Sequence, residues 1–312
     1  MIEDLTEVLV EPGSILVRDP KDYRVRDLVI RDPRRCNSEC ICIVGYPWDW
    51  NTAGTPGARY APLYIRRHLY GLNFNPHKNL CLCDLGDVKI APGDQKISEE
   101  RLARVVKRVS ENCRNFIILG GDHSLTRVSM KILLEKYSRA GLIVFDSHLD
   151  LRKLSEGRSS GTYLRDLLEE FGERFKVFVV GYKEHSNPYY MIDYAREKGV
   201  SIIGIEDVKR RSDEIIEEIL KTMKGSGIYI SIDADSIDPS QCPGVNAVSP
   251  DGLYLRELVE ILEKIIKRLA EYNIRILGFD VVEVVPDKDV NEICSRNIAY
   301  VVYRILTSLI TS

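Results

Sequence analysis

Polar side chains that can bind cations stand at the ends of three apolar runs. The run FIILGGDHS has two glycines before its histidine, and LIVFDSHLD has two aspartates and a histidine at alternate positions. The run IYISIDADSIDP repeats the alternate spacing with two aspartates. Because successive side chains of an extended chain point to opposite faces, residues two apart share a face. The six candidate ligands in these runs are His123, Asp146, His148, Asp150, Asp233 and Asp235.

This donor set suits a hard divalent cation. Converging carboxylates are costly to desolvate unless a cation or strong hydrogen bonds compensate for them. Taken singly, each motif has an ordinary explanation, because an isolated histidine is usually an interior or surface side chain and DxD is found in many loops. Together, the carboxylates and two imidazoles suit Mn²⁺ better than structural zinc. The sequence therefore predicts a manganese site.

The elements that must position these residues alternate between strands and helices. Short apolar runs such as CICIVGY and FIILGG are typical of buried strands, and stretches such as SEERLARVVKRVSENC have 3.6-residue periodicity. This alternation predicts an α/β fold with three αβα layers and a central, mainly parallel sheet. Ligand sites in such sheets form at the carboxyl ends of the strands. Without a repeat or a Gly/Ser linker, we predict one domain over residues 1–312, with an irregular N-terminal extension to about residue 38.

Composition argues against several classes of partner. Of the 312 residues, 44% are hydrophobic and 29% are charged, and the net charge is only -3, without the basic excess of a nucleic-acid binder. No stretch approaches the ~20 apolar residues that cross a bilayer, and the N-terminus has no long apolar core. These features predict a cytoplasmic protein with a small-molecule ligand and no nucleic-acid or membrane partner.

The eight cysteines include two close groups, Cys36, Cys40 and Cys42, and Cys81 and Cys83. Most of these lie in the apolar runs CICIVGYP and LCLCDLGDV, where a free cysteine behaves as a small hydrophobic residue. Neither group has the two-pair CxxC spacing of a structural zinc site. We therefore predict free thiols packed in the core, with disulfides as the alternative if the source is a hyperthermophile.

Three motifs resemble signatures of the ureohydrolases, the family that includes arginase, agmatinase and formimidoylglutamase. They are GGDHS at 120–124, DSHLD at 146–150 and SIDADSIDPSQCPG at 231–244. Supporting similarities are PGARYAPLYIR at 56–66, DLGDV at 84–88 and DVVEVVP at 280–286, all in the family's order. The resemblance extends from about residue 43 to the C-terminus.

The resemblance implies a centre with two Mn²⁺ ions per chain. A water shared by the two ions would ionise near neutral pH, and the hydroxide would attack the carbon of a linear amidine or guanidine. By resemblance, one ion would be bound by His123, Asp146, Asp150 and Asp233, and the other by Asp146, His148, Asp233 and Asp235.

The same resemblance implies two catalytic carboxylates. Asp150 would pass a proton toward the leaving nitrogen. Glu283 would bind the planar N–H groups of the cationic substrate through its carboxylate. The family further suggests a homo-oligomer, a trimer or a hexamer.

The sequence departs from arginase and agmatinase after the second motif. Those enzymes carry an HG dipeptide whose histidine shuttles protons, whereas this chain has Ser160 in the stretch EGRSSGTYLR. The run DSHLDLRKLSEGRSSGTYLR instead resembles a formimidoylglutamase segment, as does the segment containing HSN. The resemblance makes Arg152, Ser160 and Asn187 candidate substrate-binding residues, with Arg152 and Asn187 as anchors for a glutamate-like carboxylate.

Other features favour different functions. GGDHS resembles the arginase and agmatinase form of that motif, and TPGARYAP resembles agmatinases. The alternatives are therefore an agmatinase- or arginase-like hydrolase that releases urea, and a non-catalytic metal-binding homologue that acts as a binding or scaffold protein. A dinucleotide-binding protein is disfavoured because no GxGxxG follows the first strand. The sequence best supports a formimidoylglutamase-like hydrolase.

Overall fold

The apolar runs of the sequence form the strands of one parallel sheet. The computed structural model describes residues 21–137 and 139–311. Within them, nine strands pair in the order β1-β3-β2-β4-β9-β8-β5-β6-β7, and each adjacent pair is parallel. The strands are β1 (Val29–Ile30), β2 (Ile41–Tyr46), β3 (Leu82–Asp87), β4 (Asn115–Gly120), β5 (Ala140–Phe145), β6 (Phe175–Tyr182), β7 (Ser201–Gly204), β8 (Gly227–Asp233) and β9 (Arg275–Val282).

Helices cover both faces of this sheet. Alternate residues of β2 belong to two separate hydrophobic cores, Ile41 and Ile43 to one and Cys42 and Val44 to the other, and each core also contains helix residues. The helices are α1 (Val25–Leu28), α2 (Ala61–Leu69), α3 (Gln95–Asn112), α4 (Ser124–Lys136), α5 (Tyr163–Phe171), α6 (Tyr189–Glu197), α7 (Ile205–Thr222), α8 (Leu255–Arg268) and α9 (Ile293–Thr311). The predicted three-layer αβα fold with a parallel sheet is therefore confirmed.

The order of the central strands brings the candidate ligands together. After β4, the chain crosses over to β5 and leaves a gap that β8 and β9 later fill, so that β4, β9, β8 and β5 are neighbours. The three predicted motifs and Glu283 stand at the carboxyl ends of these four strands. Since all strands run in the same direction, the residues that follow them meet at one edge of the sheet.

Part of the predicted N-terminal extension can be described. Residues 1–20 lie outside the described residues, so their predicted irregular conformation stays a prediction. Between residues 21 and 38, helix α1 leads into the short strand β1, which pairs with β3 at the edge of the sheet. No helix within the described residues is long and apolar enough to cross a lipid bilayer.

The cysteines correct one prediction. Five of them are fully buried in the core as expected, but the prediction of free thiols is wrong because all eight form disulfides. Strands β2 and β3 pair with Cys42 opposite Cys83, which brings cysteines from distant parts of the chain close together. The pairs are Cys36–Cys83, Cys40–Cys81, Cys42–Cys113 and Cys242–Cys294.

We expect these disulfides to stabilise the fold strongly. They join residues 47, 41, 71 and 52 positions apart, and a cross-link over a loop of such length stabilises a protein by about 2–4 kcal/mol. The double variant Cys242→Ser/Cys294→Ser should therefore lose about 2–4 kcal/mol of unfolding free energy in denaturant titrations. In a strong reductant, which breaks all four disulfides, the wild type should lose more unfolding free energy than this variant loses without reductant. Eight titratable thiols in the unreduced, denatured protein would contradict the pairing.

Candidate metal centre

One buried histidine faces two carboxylates from the loop after β5 and a third from the end of β8. His123 precedes α4, and its Nδ1 lies 3.2 Å from Asp146 Oδ2, 3.3 Å from Asp150 Oδ2 and 3.0 Å from Asp233 Oδ2. This Nδ1 atom is buried and has no hydrogen-bond partner among the described residues. A buried, unpaired nitrogen that points at three carboxylates fits a bound cation.

The second histidine completes the cluster. His148 Nδ1 lies 2.9 Å from Asp235 Oδ2 and 3.5 Å from Asp146 Oδ1. The two oxygens of Asp146 thus face different histidines, an arrangement that would let one carboxylate serve two ions. The structure brings all six predicted ligands together, and their oxygen-rich donor set with two imidazoles fits a divalent cation.

The charges of this cluster cannot all coexist without cations. Burial, followed by the charges of Asp235 and Asp146, raises the pKa of Asp233 well above its ordinary value. Burial and the charge of Asp146 raise the pKa of Asp150 to about 6. The charge of Asp235 raises the pKa of His148 to about 12, although burial opposes this shift. Positive charge beside these carboxylates, from protonated imidazoles or from a bound cation, would offset their burial.

Two carboxylates at the centre have unusual backbone conformations. Asp150 and Glu283 have φ angles of 49° and 62°, in the left-handed region that non-glycine residues seldom adopt. Strain of this kind collects at functional sites, where it directs a side chain toward its partner. Glu283 accepts a hydrogen bond from the backbone N–H of His123 at 2.8 Å, and burial, reinforced by the charge of Asp122, raises its pKa to about 8.

The carboxylates open into a cavity of about 300 Å³, large enough for a small molecule. Four of the predicted ligands line it together with Glu283, and the remaining wall comes from three loops. The lining residues are Thr52, Ala53, Gly54, His148, Asp150, Arg152, Ser160, Gly161, Asp233, Asp235, Asn246, Ala247 and Glu283.

The predicted substrate residues have different surroundings. Arg152 lines the cavity, is exposed, and has no ion pair or side-chain hydrogen bond within residues 21–137 and 139–311. Ser160 also lines the cavity, but its hydroxyl oxygen accepts a hydrogen bond from the backbone N–H of Ala53 at 3.2 Å. Arg152 is thus available to a ligand, whereas Ser160 supports a neighbouring loop.

Asn187 does not reach the cavity. Its buried amide oxygen accepts from the backbone N–H of Leu149 at 2.9 Å, and its amide nitrogen donates to the carbonyls of Ser147 and Lys183 at 2.8 and 2.9 Å. These bonds hold the loop that carries His148. Since its polar atoms are already used, we withdraw the expectation that Asn187 anchors a substrate.

The glycines of GGDHS allow close packing of two backbone segments. Neither Gly120 nor Gly121 has a positive φ. A Cβ on Gly121 would lie only 1.8 Å from the carbonyl oxygen of Trp48, so glycine is needed for close backbone packing. This contact sets the loop that begins at Trp48 and reaches the cavity at Thr52.

Sequence reasoning missed the polar residues behind the cluster. Ser231 and Asp280 lie inside strands β8 and β9. Their polar side chains within otherwise apolar runs could have identified them as buried residues near the site. Both are fully buried, and Ser231 contacts His123. The loop residues Asn246 and Ala247 carried no such signal, because nothing in their local sequence distinguishes them from other loop residues.

The ligand motifs and their spacing along the chain can be compared with known families. A family model described as the arginase family matches residues 39–307 of this chain. The chain belongs to the arginase family. Among its relatives, a formimidoylglutamase of Halalkalibacterium halodurans is 32% identical over 279 residues, covering 85% of this chain and 85% of the relative. An agmatinase of Bacillus subtilis is 28% identical and covers 86% of this chain and 91% of the relative.

A solved structure of the arginase family supports the same grouping. The formimidoylglutamase from Bacillus subtilis superposes with a TM-score of 0.90 at 27% identity, covering 99% of this chain and 98% of that chain. The resemblance to ureohydrolases that the motifs indicated is therefore confirmed, and so is the arginase-like fold.

Proposed function

We propose that this arginase-family protein is a manganese-dependent hydrolase of the formimidoylglutamase type. It would cleave a C–N bond of a linear amidine that carries a carboxylate. The observation that supports this proposal is a single cavity lined both by carboxylates of the cluster and by Arg152, whose guanidinium has no ion pair within residues 21–137 and 139–311. Such a cavity matches a substrate with a cationic head and an acidic tail.

The proposed cofactors are two Mn²⁺ ions. His123, Asp146, Asp150 and Asp233 would hold one ion, and His148 and Asp235 would complete the other site with the two shared aspartates. When bound, the two ions lower the pKa of a coordinated water and offset the charge of the buried carboxylates.

Two side chains would act directly on the substrate. The Glu283 carboxylate, which lines the cavity, would accept hydrogen bonds from the planar amidinium and hold its carbon toward the cluster. An Asp150 oxygen would accept a proton from the attacking water and return it to the nitrogen that leaves. With formimidoylglutamate and water, the products would be formamide and glutamate.

The substrate class can be tested directly by product analysis. The Mn²⁺-loaded protein would be incubated separately with formimidoylglutamate, agmatine, arginine and guanidinobutyrate, and formamide and urea would be assayed independently. We expect formamide from formimidoylglutamate at a rate well above any release of urea. Faster urea release would support the guanidine alternative, and no product from any substrate would support a non-catalytic binding protein.

A guanidine hydrolase of the agmatinase or arginase type is the second candidate. The observation that favours it is the six-residue cluster beside Glu283, because a planar guanidinium would bind the same carboxylate as an amidinium. Position 160 is a serine and not the proton-shuttling histidine of those enzymes, which argues against this candidate. Expulsion of a poor amine leaving group benefits from a nearby proton donor.

Arg152→Ala separates these candidates further. Loss of a carboxylate anchor should raise KM for formimidoylglutamate by about 10- to 150-fold, equivalent to about 1.5–3 kcal/mol, and change KM for agmatine little. Lys153→Ala is the matched control, because this neighbouring exposed cation does not line the cavity. If Arg152→Ala raised KM equally for both substrates, the main argument for an acidic substrate would fail.

Assembly and location are also proposed from the family resemblance and composition. We propose a cytoplasmic homo-oligomer, a trimer or hexamer, with no nucleic-acid partner. A stable monomer in light scattering at micromolar concentration would contradict the oligomer.

A further inference from the structure

Two loops meet at the rim of the cavity. One of them, the rim loop, comprises residues 49–57 after β2 and lines the cavity at residues 52–54. The other belongs to the segment between β8 and α8 and lines the cavity with Asn246. A Cβ on Gly54 would lie only 2.9 Å from Asn246 Cγ, so the tip of the rim loop packs directly on the Asn246 side chain.

Asn246 uses its whole side-chain amide to join these loops. Its Nδ2 donates to Thr52 Oγ1 at 3.2 Å and to the carbonyl oxygen of Thr55 at 3.0 Å. Its Oδ1 accepts from Thr55 Oγ1 at 3.1 Å and from Lys288 Nζ at 2.7 Å. An asparagine amide has two N–H donors and two acceptor positions, and these bonds use all four. The side chain is therefore committed to holding the rim loop.

The base of the rim loop is held independently of Asn246. The carboxylate of Asp49 is fully buried and accepts from the backbone N–H groups of Gly57 at 2.6 Å and Arg59 at 3.0 Å. It also pairs with the Arg59 guanidinium, whose Cζ lies 3.7 Å from the centroid of the Trp50 ring. The carboxylate thus joins the two ends of the loop, as in an Ω-loop.

The tip of the rim loop is more accessible to water than its base. Residues 53–56 and Lys288 are exposed, whereas Gly57 at the base is buried. Segments held by exposed hydrogen bonds open at a smaller free-energy cost than buried segments. The tip can therefore move away from the cavity more easily than the base can, and Asn246 restrains it at Thr55.

We propose that Asn246 determines which length of substrate the cavity accepts. It is a positioning residue, because it holds the tip of the rim loop and so fixes one wall of the cavity. With a movable wall, substrates that differ by one methylene would no longer be distinguished. The inference rests on the proposed function for the chemistry of the substrate, but the restraint on the rim loop can be measured without any activity.

Hydrogen–deuterium exchange followed by mass spectrometry tests this restraint. In Asn246→Ala, peptides that contain residues 52–55 should exchange about 10-fold faster than in the wild type. Asn297→Ala is the matched control, because Asn297 Nδ2 donates to the carbonyl of Gln241 at 2.7 Å and Asn297 does not line the cavity. This control should leave exchange at residues 52–55 unchanged. Unchanged exchange in Asn246→Ala would overturn the inference.

Substrate homologues test the selectivity for length. Formimidoylaspartate, formimidoylglutamate and formimidoylaminoadipate differ by one methylene each, and the Mn²⁺-loaded wild type should prefer formimidoylglutamate by at least about 10-fold in kcat/KM. Asn246→Ala should raise KM for formimidoylglutamate by about 10-fold, change kcat little and remove most of this preference. Asn297→Ala should keep the preference. A preference retained in Asn246→Ala would overturn the inference, whereas no formamide from any homologue with the wild type would defeat the proposed function.

Thr55 separates positioning from direct contact with the substrate. Its hydroxyl donates to Asn246, but Thr55 does not line the cavity. Thr55→Val should therefore accelerate exchange at the tip and weaken the length preference, as Asn246→Ala does. Thr55→Ser, which keeps the hydroxyl, should behave as the wild type. If Asn246→Ala altered selectivity and Thr55→Val did not, Asn246 would act by touching the substrate, and the positioning role would be overturned.

Discussion

Replacement of Asp146 by alanine should abolish hydrolysis. We expect kcat/KM to fall by at least about 1,000-fold, because metal ions contribute several kcal/mol to such reactions. The oxygens of Asp146 face His123 and His148 separately, so its removal affects both proposed metal positions. Bound manganese, measured by elemental analysis after loading, should fall below two ions per chain. Asp233→Ala should behave in the same way, whereas Asp235→Ala should lose one ion preferentially.

A buried aspartate outside the centre provides the matched control. Asp84 is buried and accepts a hydrogen bond from Arg66 Nε at 2.7 Å. Asp84→Ala should lower the thermal midpoint, because breaking a buried ion pair costs about 3–5 kcal/mol. It should nevertheless retain two manganese ions per chain. If Asp146→Ala lost stability and kept full metal content, its proposed ligand role would be wrong.

Glu283→Gln should have the second-largest effect while leaving the metals in place. Glutamine keeps an oxygen that can accept the His123 backbone N–H bond, but it has no charge to attract a cationic amidinium. Loss of a charged hydrogen bond to substrate corresponds to about 1.5–3 kcal/mol, so kcat/KM should fall by about 10- to 150-fold.

The metal content of Glu283→Gln decides how that loss is interpreted. Two manganese ions per chain, with reduced kcat/KM, would support a direct role in binding substrate. A parallel loss of manganese would show that Glu283 maintains the metal site instead. The same variant should show unchanged thermal stability, since glutamine can adopt the backbone conformation of Glu283 as readily as glutamate does.

Much of this protein was predictable from local patterns. Short apolar runs alternate with segments of 3.6-residue periodicity, and this alternation predicted the αβα layers. The spacing of apolar residues in a segment determines which of its faces can be buried. The alternate spacing in DSHLD and DAD predicted the ligand cluster, since parallel strands deliver the residues after them to one edge. The motif order was sufficient to identify the family, which the comparisons confirmed.

Only the tertiary structure decided which distant residues meet. The pairing of Cys42 opposite Cys83 depends on the register of β2 and β3, which local polarity does not specify. The register of β8 and β9 likewise sets Ser231 beside Asp280, behind His123. Asn187 looked like a substrate residue in its motif, but the path of its loop points it toward backbone groups. The local sequence determines the periodicity of apolar residues and the polarity of each segment, whereas strand register and loop path depend on the packing of the whole chain.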